Sequence, residues 1–343
     1  MSSIAELPSP SVTDPVANSY SEVTCFVGEP DHGRVKSATF PDALRALEDP
    51  KKRVWINLPA PDKQRLGEVC IKLGFHELAV EDVFSHRSRV KIEEYKGHLF
   101  CISAALNQNE GAETLDIINL NAFLGPNYLI TAHRAPLPVV ELVARDLGGS
   151  EPPLLRGADF VLYRLLDGII DEYTQAADRV STQLDEIEER IFGRFDPTIS
   201  SRIFTLKHHT AWARRRITPQ RGIIATLTHR PHELIRPDTQ VYFRDVEDHI
   251  GRIADNLDTF HDLLQGALDV FLSLAAGRTN QQMKLLSVMG AVMLPMNLLI
   301  GLYGTNFAAL PGSAHPMGFW VFCGLLAVVG VTAAFLFRMR RWF

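Results

Sequence analysis

Residues 294–312 read LPMNLLIGLYGTNFAALPG. The stretch closes one long apolar run and opens the turn before a second. Between Lys284 and Arg338 there is no Asp, Glu, Lys or Arg, in a chain that is 22% charged overall. The two apolar runs are Leu285–Leu302 and Phe319–Phe337. At about 1.5 Å of rise per residue, a helix over each run covers roughly the 30 Å hydrocarbon core of a bilayer. The pattern predicts a transmembrane hairpin. The competing arrangement, a hairpin buried inside a soluble core, requires protein around both helices.

The flanks set the orientation. Arg278 and Lys284 precede the first run, and Arg338, Arg340 and Arg341 follow the second. The connecting loop, residues 303–318, has no Lys or Arg. An excess of cationic residues marks the cytoplasmic side, so both termini are expected in the cytoplasm and the loop outside, as a multi-pass protein of the cell (inner) membrane in contact with lipid. Trp320 and Trp342 fall where interfacial aromatic belts are expected.

Bulk composition hides this division. The net charge of -5 averages a charged segment, residues 1 to about 280, with an apolar remainder. The first 22 residues, rich in Pro and Ser, have no basic and apolar leader pattern and read as a disordered tail. Cys25, Cys70, Cys101 and Cys323 are scattered, without a C-x-x-C pair, which argues against a disulfide framework and a structural zinc site.

Residues 23–150 mix strand and helix signals. VTCFV, VWINL, VKIEEY, HLFCISAAL, LDIINLNAFLG and NYLITAH have strand length and β-branched or aromatic content. PDALRALED, PDKQRLGEVCIKLG and PLPVVELVARDLGG read as helices. This is an α+β domain ending at GGSEPPLLRG. Residues 151–284 are helical. An acidic helix, with Asp167, Asp171, Glu172, Asp178, Asp185, Glu186, Glu188 and Glu189, precedes a basic one over about 197–227. Charge allows the two to pair, although both charged faces could equally be solvated. A third helix starts near Asp238, keeps an apolar stripe, and continues without a turn signal into the first membrane run. Some 65 residues of helix would extend on the order of 100 Å and cannot bury the stripe within one small domain. Residues 285–343 form the transmembrane part.

No nucleotide-binding, zinc-hydrolase or nucleophile-elbow motif is present, so no enzyme chemistry is indicated. His229 and His232 have the spacing of a zinc-ligand pair, but Pro231 interrupts a helix and no cysteine pair accompanies them. The basic run Arg214–Arg221 lacks the interleaved aromatics of a nucleic-acid surface, and no nucleic-acid partner is expected. The first membrane helix is unlike a simple anchor. Asn280, Ser287, Gly290, Asn297 and Gly301 recur near helical spacing, with Met283 and Leu294 on the same face. An amide in hydrocarbon is costly unless it faces a partner or water. Close helix packing through small residues would explain the same pattern. A water-filled path would need a ring of copies, since one hairpin encloses nothing.

PMNLLIGLYGTNF, the two terminal runs and the basic tail resemble the CorA family of divalent cation channels and transporters. AVEDVFSHRSRVKIEEYKGHLF resembles the family's N-terminal domain, and VYFRDVEDHIGRIADNLDTFHDLLQGALDVFLSLAAGRTNQQMK its long stalk helix. The resemblance covers nearly the whole chain. It implies a funnel-shaped homopentamer with no permanently bound cofactor, the divalent cation being both cargo and regulator. It puts the family's external Gly-Met-Asn loop on Gly304, Thr305 and Asn306, and the pore lining on Asn280, Met283, Leu286, Leu294 and Asn297. It puts the regulatory cation between subunits at Asp245, with Asp82 as partner. Thr305 stands where the family has Met, and the loop ALPGSAHPMG lacks an acidic residue. The ZntB branch varies at that position and is associated with Zn²⁺. The resemblance therefore implies Mg²⁺ uptake driven by membrane potential, with Zn²⁺ (or Co²⁺ or Ni²⁺) transport, proton-coupled or not, as the alternative. A membrane-tethered sensor without transport is the reading from a different class.

Overall fold

The computed structural model describes residues 22–59, 63–85, 88–107, 116–193, 195–230, 232–305 and 316–339. The chain divides into two compact units, residues 1–265 and 266–343. In the first unit the order is β1 (Thr24–Glu29), β2 (Arg34–Ala38), α1 (Phe40–Ala46), β3 (Arg53–Pro59), α2 (Lys63–Leu73), α3 (Glu77–Phe84), β4 (Lys91–Tyr95), β5 (His98–Asn107), β6 (Asp116–Leu124) and β7 (Tyr128–His133). Then come α4 (Pro138–Asp146), α5 (Pro153–Arg156), α6 (Ala158–Phe192), α7 (Thr198–His229) and the start of α8 (Pro237–Tyr303). The rest of α8 and α9 (Gly318–Met339) belong to the second unit.

Among the described residues seven strands form one sheet in the order β2-β1-β3-β7-β6-β5-β4, antiparallel except for the central β3–β7 pair. Both faces are covered. Val54, Ile56 and Leu58 of β3 point into a core completed by Ala43, Leu66, Val69, Ala79 and Val83 of α1, α2 and α3. Trp55, Leu99, Cys101 and Leu129 point into the other, completed by α4, α6, α7 and the start of α8. Two covered faces explain why β7 is buried at every residue instead of alternating. Within this unit the helices that follow residue 150 pack on the second of these faces.

Local chemistry sets the boundaries. Thr39 caps α1 by accepting the Asp42 N–H at 3.4 Å, with a proline in its first turn. Gly74, at φ 68°, ends α2 in a left-handed conformation that other residues rarely adopt. Gly97, at φ 89°, turns the tight β4–β5 hairpin in which Tyr95 faces His98. The edge strand β2 (RVKSA) carries Arg34 and Lys36, which pair with Glu29 at 2.8 and 3.4 Å; charge on an edge discourages unwanted strand pairing.

Buried polar links fasten the helices to the sheet. Gln220 of α7 bonds Ser103 Oγ and donates to the Ala104 carbonyl at 3.1 Å, which also accepts from the Tyr173 hydroxyl at 3.1 Å. Asp159, 4% exposed, receives the Arg236 guanidinium at 2.8 Å and the Arg236 backbone N–H at 3.0 Å, tying the start of α6 to the approach of α8. The acidic and basic helices, α6 and α7, do pack together, with Arg202–Glu186 at 3.3 Å. Other basic residues of α7 look instead to α8, with Arg214–Asp258 at 2.6 Å and His229–Glu247 at 3.1 Å.

Candidate functional site

The apolar part of α8 and all of α9 obtain almost no cover from the chain. In their most apolar stretches 6% and 0% of residues are buried. Leu294, Phe319 and Trp320 are 72%, 68% and 69% exposed. A hairpin inside a soluble core would look the opposite way. Surface this apolar and this large needs lipid or other copies around it.

The two helices touch along one strip each. The Tyr303 ring lies tilted against Phe322, with ring centroids 4.6 Å apart. Lower down, Met296 lies against Gly330, where an added Cβ would come 2.8 Å from its Cε. The order, 303 with 322 and 296 with 330, makes the pair antiparallel. Within the apolar run of α8, Val288 is buried and Val292, Pro295, Met296 and Leu299 are partly covered. Those of α9 include Phe322, Leu326, Val329, Gly330 and Ala333. Steps of three and four place each set on a single helix face.

The sequence-predicted lining residues occupy the other side of α8. Asn280, Met283, Leu286, Leu294 and Asn297 are all exposed, as are Ser287, Gly290 and Gly301. At about 3.6 residues per turn this face lies roughly opposite Val288, Val292, Met296 and Leu299. The chain thus spends one face of α8 on α9 and leaves free the face that carries the amides and glycines. The helix ends where the turn was expected. The Gly304 N–H donates to the Ile300 carbonyl at 2.8 Å, and a Cβ at Gly304 would lie 3.0 Å from that oxygen. The Thr305 hydroxyl donates to the Leu302 carbonyl at 2.7 Å. Asn306 lies outside the described residues.

The two regulatory candidates face different partners within the chain. Asp82, at the end of α3, holds the Lys91 ammonium at 2.7 Å. Asp245, on α8, is 67% exposed at its side chain, with His249 at 3.7 Å. It lines an open polar concavity of about 860 Å³ with Arg221, His229, Arg244, Glu247, Asp248, Arg252 and Asp255. His229 and His232 do not converge: one pairs with Glu247 at 3.1 Å and the other with Glu94 at 3.3 Å.

A third group was not foreseen. Asp167 and Asp171 of α6 and His249 of α8 bring one ligand atom each to within 4.8 Å of one another. Burial, and then the neighbouring charge of Asp171, push the Asp167 carboxyl above its usual range, while Tyr163, Arg164 and His249 oppose the shift. Two carboxylates and an imidazole at that spacing can share a divalent ion, and His249 links the group to Asp245. The Asp167–Asp171 spacing was visible in the sequence, but the register of α6 against α8 was not.

Residues 50–341 match the family model described as CorA-like Mg²⁺ transporter protein. The chain is 27% identical over 306 residues to the cobalt/magnesium transport protein CorA of Thermotoga maritima, covering 88% of this chain and 86% of that one. It is 20% identical over 302 residues to the zinc transport protein ZntB of Yersinia enterocolitica, covering 88% and 90%. Its fold superposes on the complete CorA magnesium transporter of Methanocaldococcus jannaschii with a TM-score of 0.78 at 21% identity, covering 94% of this chain and 98% of that one. An α/β domain, a long helix and two apolar C-terminal helices, matched nearly end to end by a family of transporters rather than enzymes, make this chain a member of the CorA family of divalent cation transporters, a membrane protein with two C-terminal transmembrane helices.

Proposed function

We propose that this chain forms a homopentameric channel for passive Mg²⁺ uptake across the cell (inner) membrane, with both termini in the cytoplasm. The observation that carries the proposal is the free face of α8, which runs from Asn280 through Asn297 to Gly304 while α9 occupies the opposite face. Repeated around a central axis, that face lines a path with amide rings at Asn280 and Asn297 and apolar rings at Met283, Leu286 and Leu294. Gly304, Thr305 and Asn306 stand at its outer mouth.

The chemistry suits Mg²⁺, which sheds water reluctantly. Amide and carbonyl oxygens accept hydrogen bonds from its hydration shell without stripping it, and neutral ligands hold it weakly enough for release. A divalent ion gains about 4.6 kcal/mol on crossing 100 mV, twice the single-charge value, so the membrane potential suffices to drive entry. Leucine rings can close the path by dewetting. On the cytoplasmic side, ion held at Asp245 and at the Asp167–Asp171–His249 group stabilises the closed packing, since a ligand favours the state that binds it better. Lys91 already neutralises Asp82, so its part as partner to Asp245 requires that ion pair to open.

Zn²⁺ is the second reading, favoured by Thr305 in the place of Met and by the likeness to a zinc transport protein. Identity of 27% to a cobalt/magnesium transporter against 20% to that protein supports Mg²⁺. Flux of Mg²⁺, Zn²⁺, Co²⁺ and Ni²⁺ into liposomes, with and without a pH gradient, separates the readings. Mg²⁺ entry without a pH gradient is expected, together with loosened inhibition by internal Mg²⁺ in Asp245→Ala. Zn²⁺ entry that needs a proton gradient, without Mg²⁺ entry, overturns the Mg²⁺ assignment. The absence of flux for every ion would leave the tethered-sensor reading.

A further inference from the structure

Helices α6, α7 and α8 and the end of β5 enclose a cavity of about 160 Å³. Its inner wall is Leu106 of β5, Tyr173 and Ala177 of α6, Leu206 of α7, and Ile253 and Leu257 of α8. Each of these is at most 4% exposed. The hydroxyls deep in the cavity already donate elsewhere. That of Tyr173 goes to the Ala104 carbonyl at 3.1 Å, and that of Thr210 to the Lys207 carbonyl at 3.0 Å. A buried water needs about two to four polar partners, which such walls supply poorly. A dry apolar cavity of about 150 Å³ accepts a guest the size of benzene.

The mouth has the opposite character. Arg179 and Gln183 of α6 are exposed, and His209 of α7 is half-buried. Their side chains have no hydrogen bond or ion pair among the described residues. Other cations of α7 are paired, Arg202 with Glu186 at 3.3 Å and Arg214 with Asp258 at 2.6 Å. A second cavity of about 250 Å³, lined by Ser201, Arg202 and Thr205, shares Gln183, Leu206 and His209 with the first. The two join as one cleft between α6 and α7, apolar within and polar outside. Apolar walls with a few convergent polar groups are the usual form of a small-molecule site. A guanidinium matches a carboxylate with two parallel N–H donors, and Gln183 and His209 add further donors beside it.

We propose that this cleft binds a small monocarboxylate with a compact apolar body of about six or seven carbons. The body fills the space between Tyr173, Leu206 and Leu257, and the carboxylate meets Arg179 at the mouth. The cleft shares no residue with the Asp167–Asp171–His249 group or with the proposed conduction path. The inference stands whether or not that path is correct.

The test is calorimetric titration of the full-length protein in lipid nanodiscs, with empty nanodiscs subtracted, using benzoate, benzyl alcohol and benzylamine. These probes share one body and differ in the charge of the head. Benzoate is expected to saturate one site per chain with a dissociation constant of about 1 mM. Benzyl alcohol should bind about tenfold more weakly, and benzylamine more weakly still. Arg179→Gln should weaken benzoate about tenfold and leave benzyl alcohol within about twofold. Ala213→Leu, which fills the cavity from α7, should abolish saturable binding of both. Arg179 is exposed, so its variant gives a reading even if Ala213→Leu does not fold. Absence of saturable benzoate binding overturns the inference. So do equal affinities for the three probes, benzoate affinity unchanged in Arg179→Gln, or wild-type binding in folded Ala213→Leu.

Discussion

The residues before 266 and those after it are both rich in apolar side chains, yet they use them in opposite ways. In the first unit Trp55, Phe100, Phe123 and Phe243 are fully buried in two cores that share one sheet. In the second, Leu294, Trp320 and Val331 are at least 69% exposed, and the helices touch along a single strip. The first unit finds its solvent-free interior within its own chain. The second has to find it in lipid or in other copies. Apolar composition alone does not distinguish these cases; what does is whether the chain supplies a second surface. The same contrast explains where polar groups are tolerated. In the first unit the buried polar groups of Gln220 and Asp159 are tolerated because they are bonded to the sheet and to the approach of α8. In the second, the amides Asn280 and Asn297 sit on the face that α9 does not cover.

The widest expected difference between the units is in the cost of truncating an apolar side chain. Phe123 is stacked on Phe75 at 4.2 Å and packs on Phe100 at 4.6 Å. Phe123→Ala should lower unfolding free energy by about 3–5 kcal/mol. Val331→Ala, on the exposed side of α9, should cost about 0.5 kcal/mol or less in detergent. Denaturant melts of the two variants check this, and equal costs would break the comparison.

A smaller effect isolates a polar group that the first unit handles poorly. Glu172 is 7% exposed, one of its oxygens is without a partner among the described residues, and burial pushes its carboxyl up to about 7, with the Leu106 backbone hydrogen bond opposing. Its folded-state value lies above that of the unfolded chain. Its contribution is therefore fully present below about pH 4.5 and is lost as pH rises through about 7. The loss is on the order of 3 kcal/mol. Glu172→Gln should flatten the decline and raise the melting temperature at pH 8. An unchanged pH profile would show that Glu172 is not the group responsible.

Much of this was legible in the residues themselves. The membrane helices announced themselves because a bilayer demands length and absence of charge, both linear properties. β3 and β7 were legible because strands covered on both faces read as continuous apolar runs. β2 was missed, since RVKSA on an edge carries charges and no apolar alternation, and α3 was missed because ELAVEDVF is too short to show a period. The face of α8 carrying Asn280 and Asn297 was readable from its spacing; that α9 leaves it free was not. The Asp167–Asp171–His249 group depends on the register between two helices far apart in sequence, which spacing along either helix cannot supply.

The central claim is that the free face of α8 lines the cation path while the outer face of α9 meets lipid. Mg²⁺ entry into liposomes under an inside-negative potential, compared for Asn297→Leu and Val331→Leu, tests it most directly. The account predicts that Asn297→Leu, which removes the polar ring among the apolar ones, lowers flux at least about tenfold. Val331→Leu should conduct as wild type. Normal flux in Asn297→Leu, or equal losses in both variants, would contradict the claim.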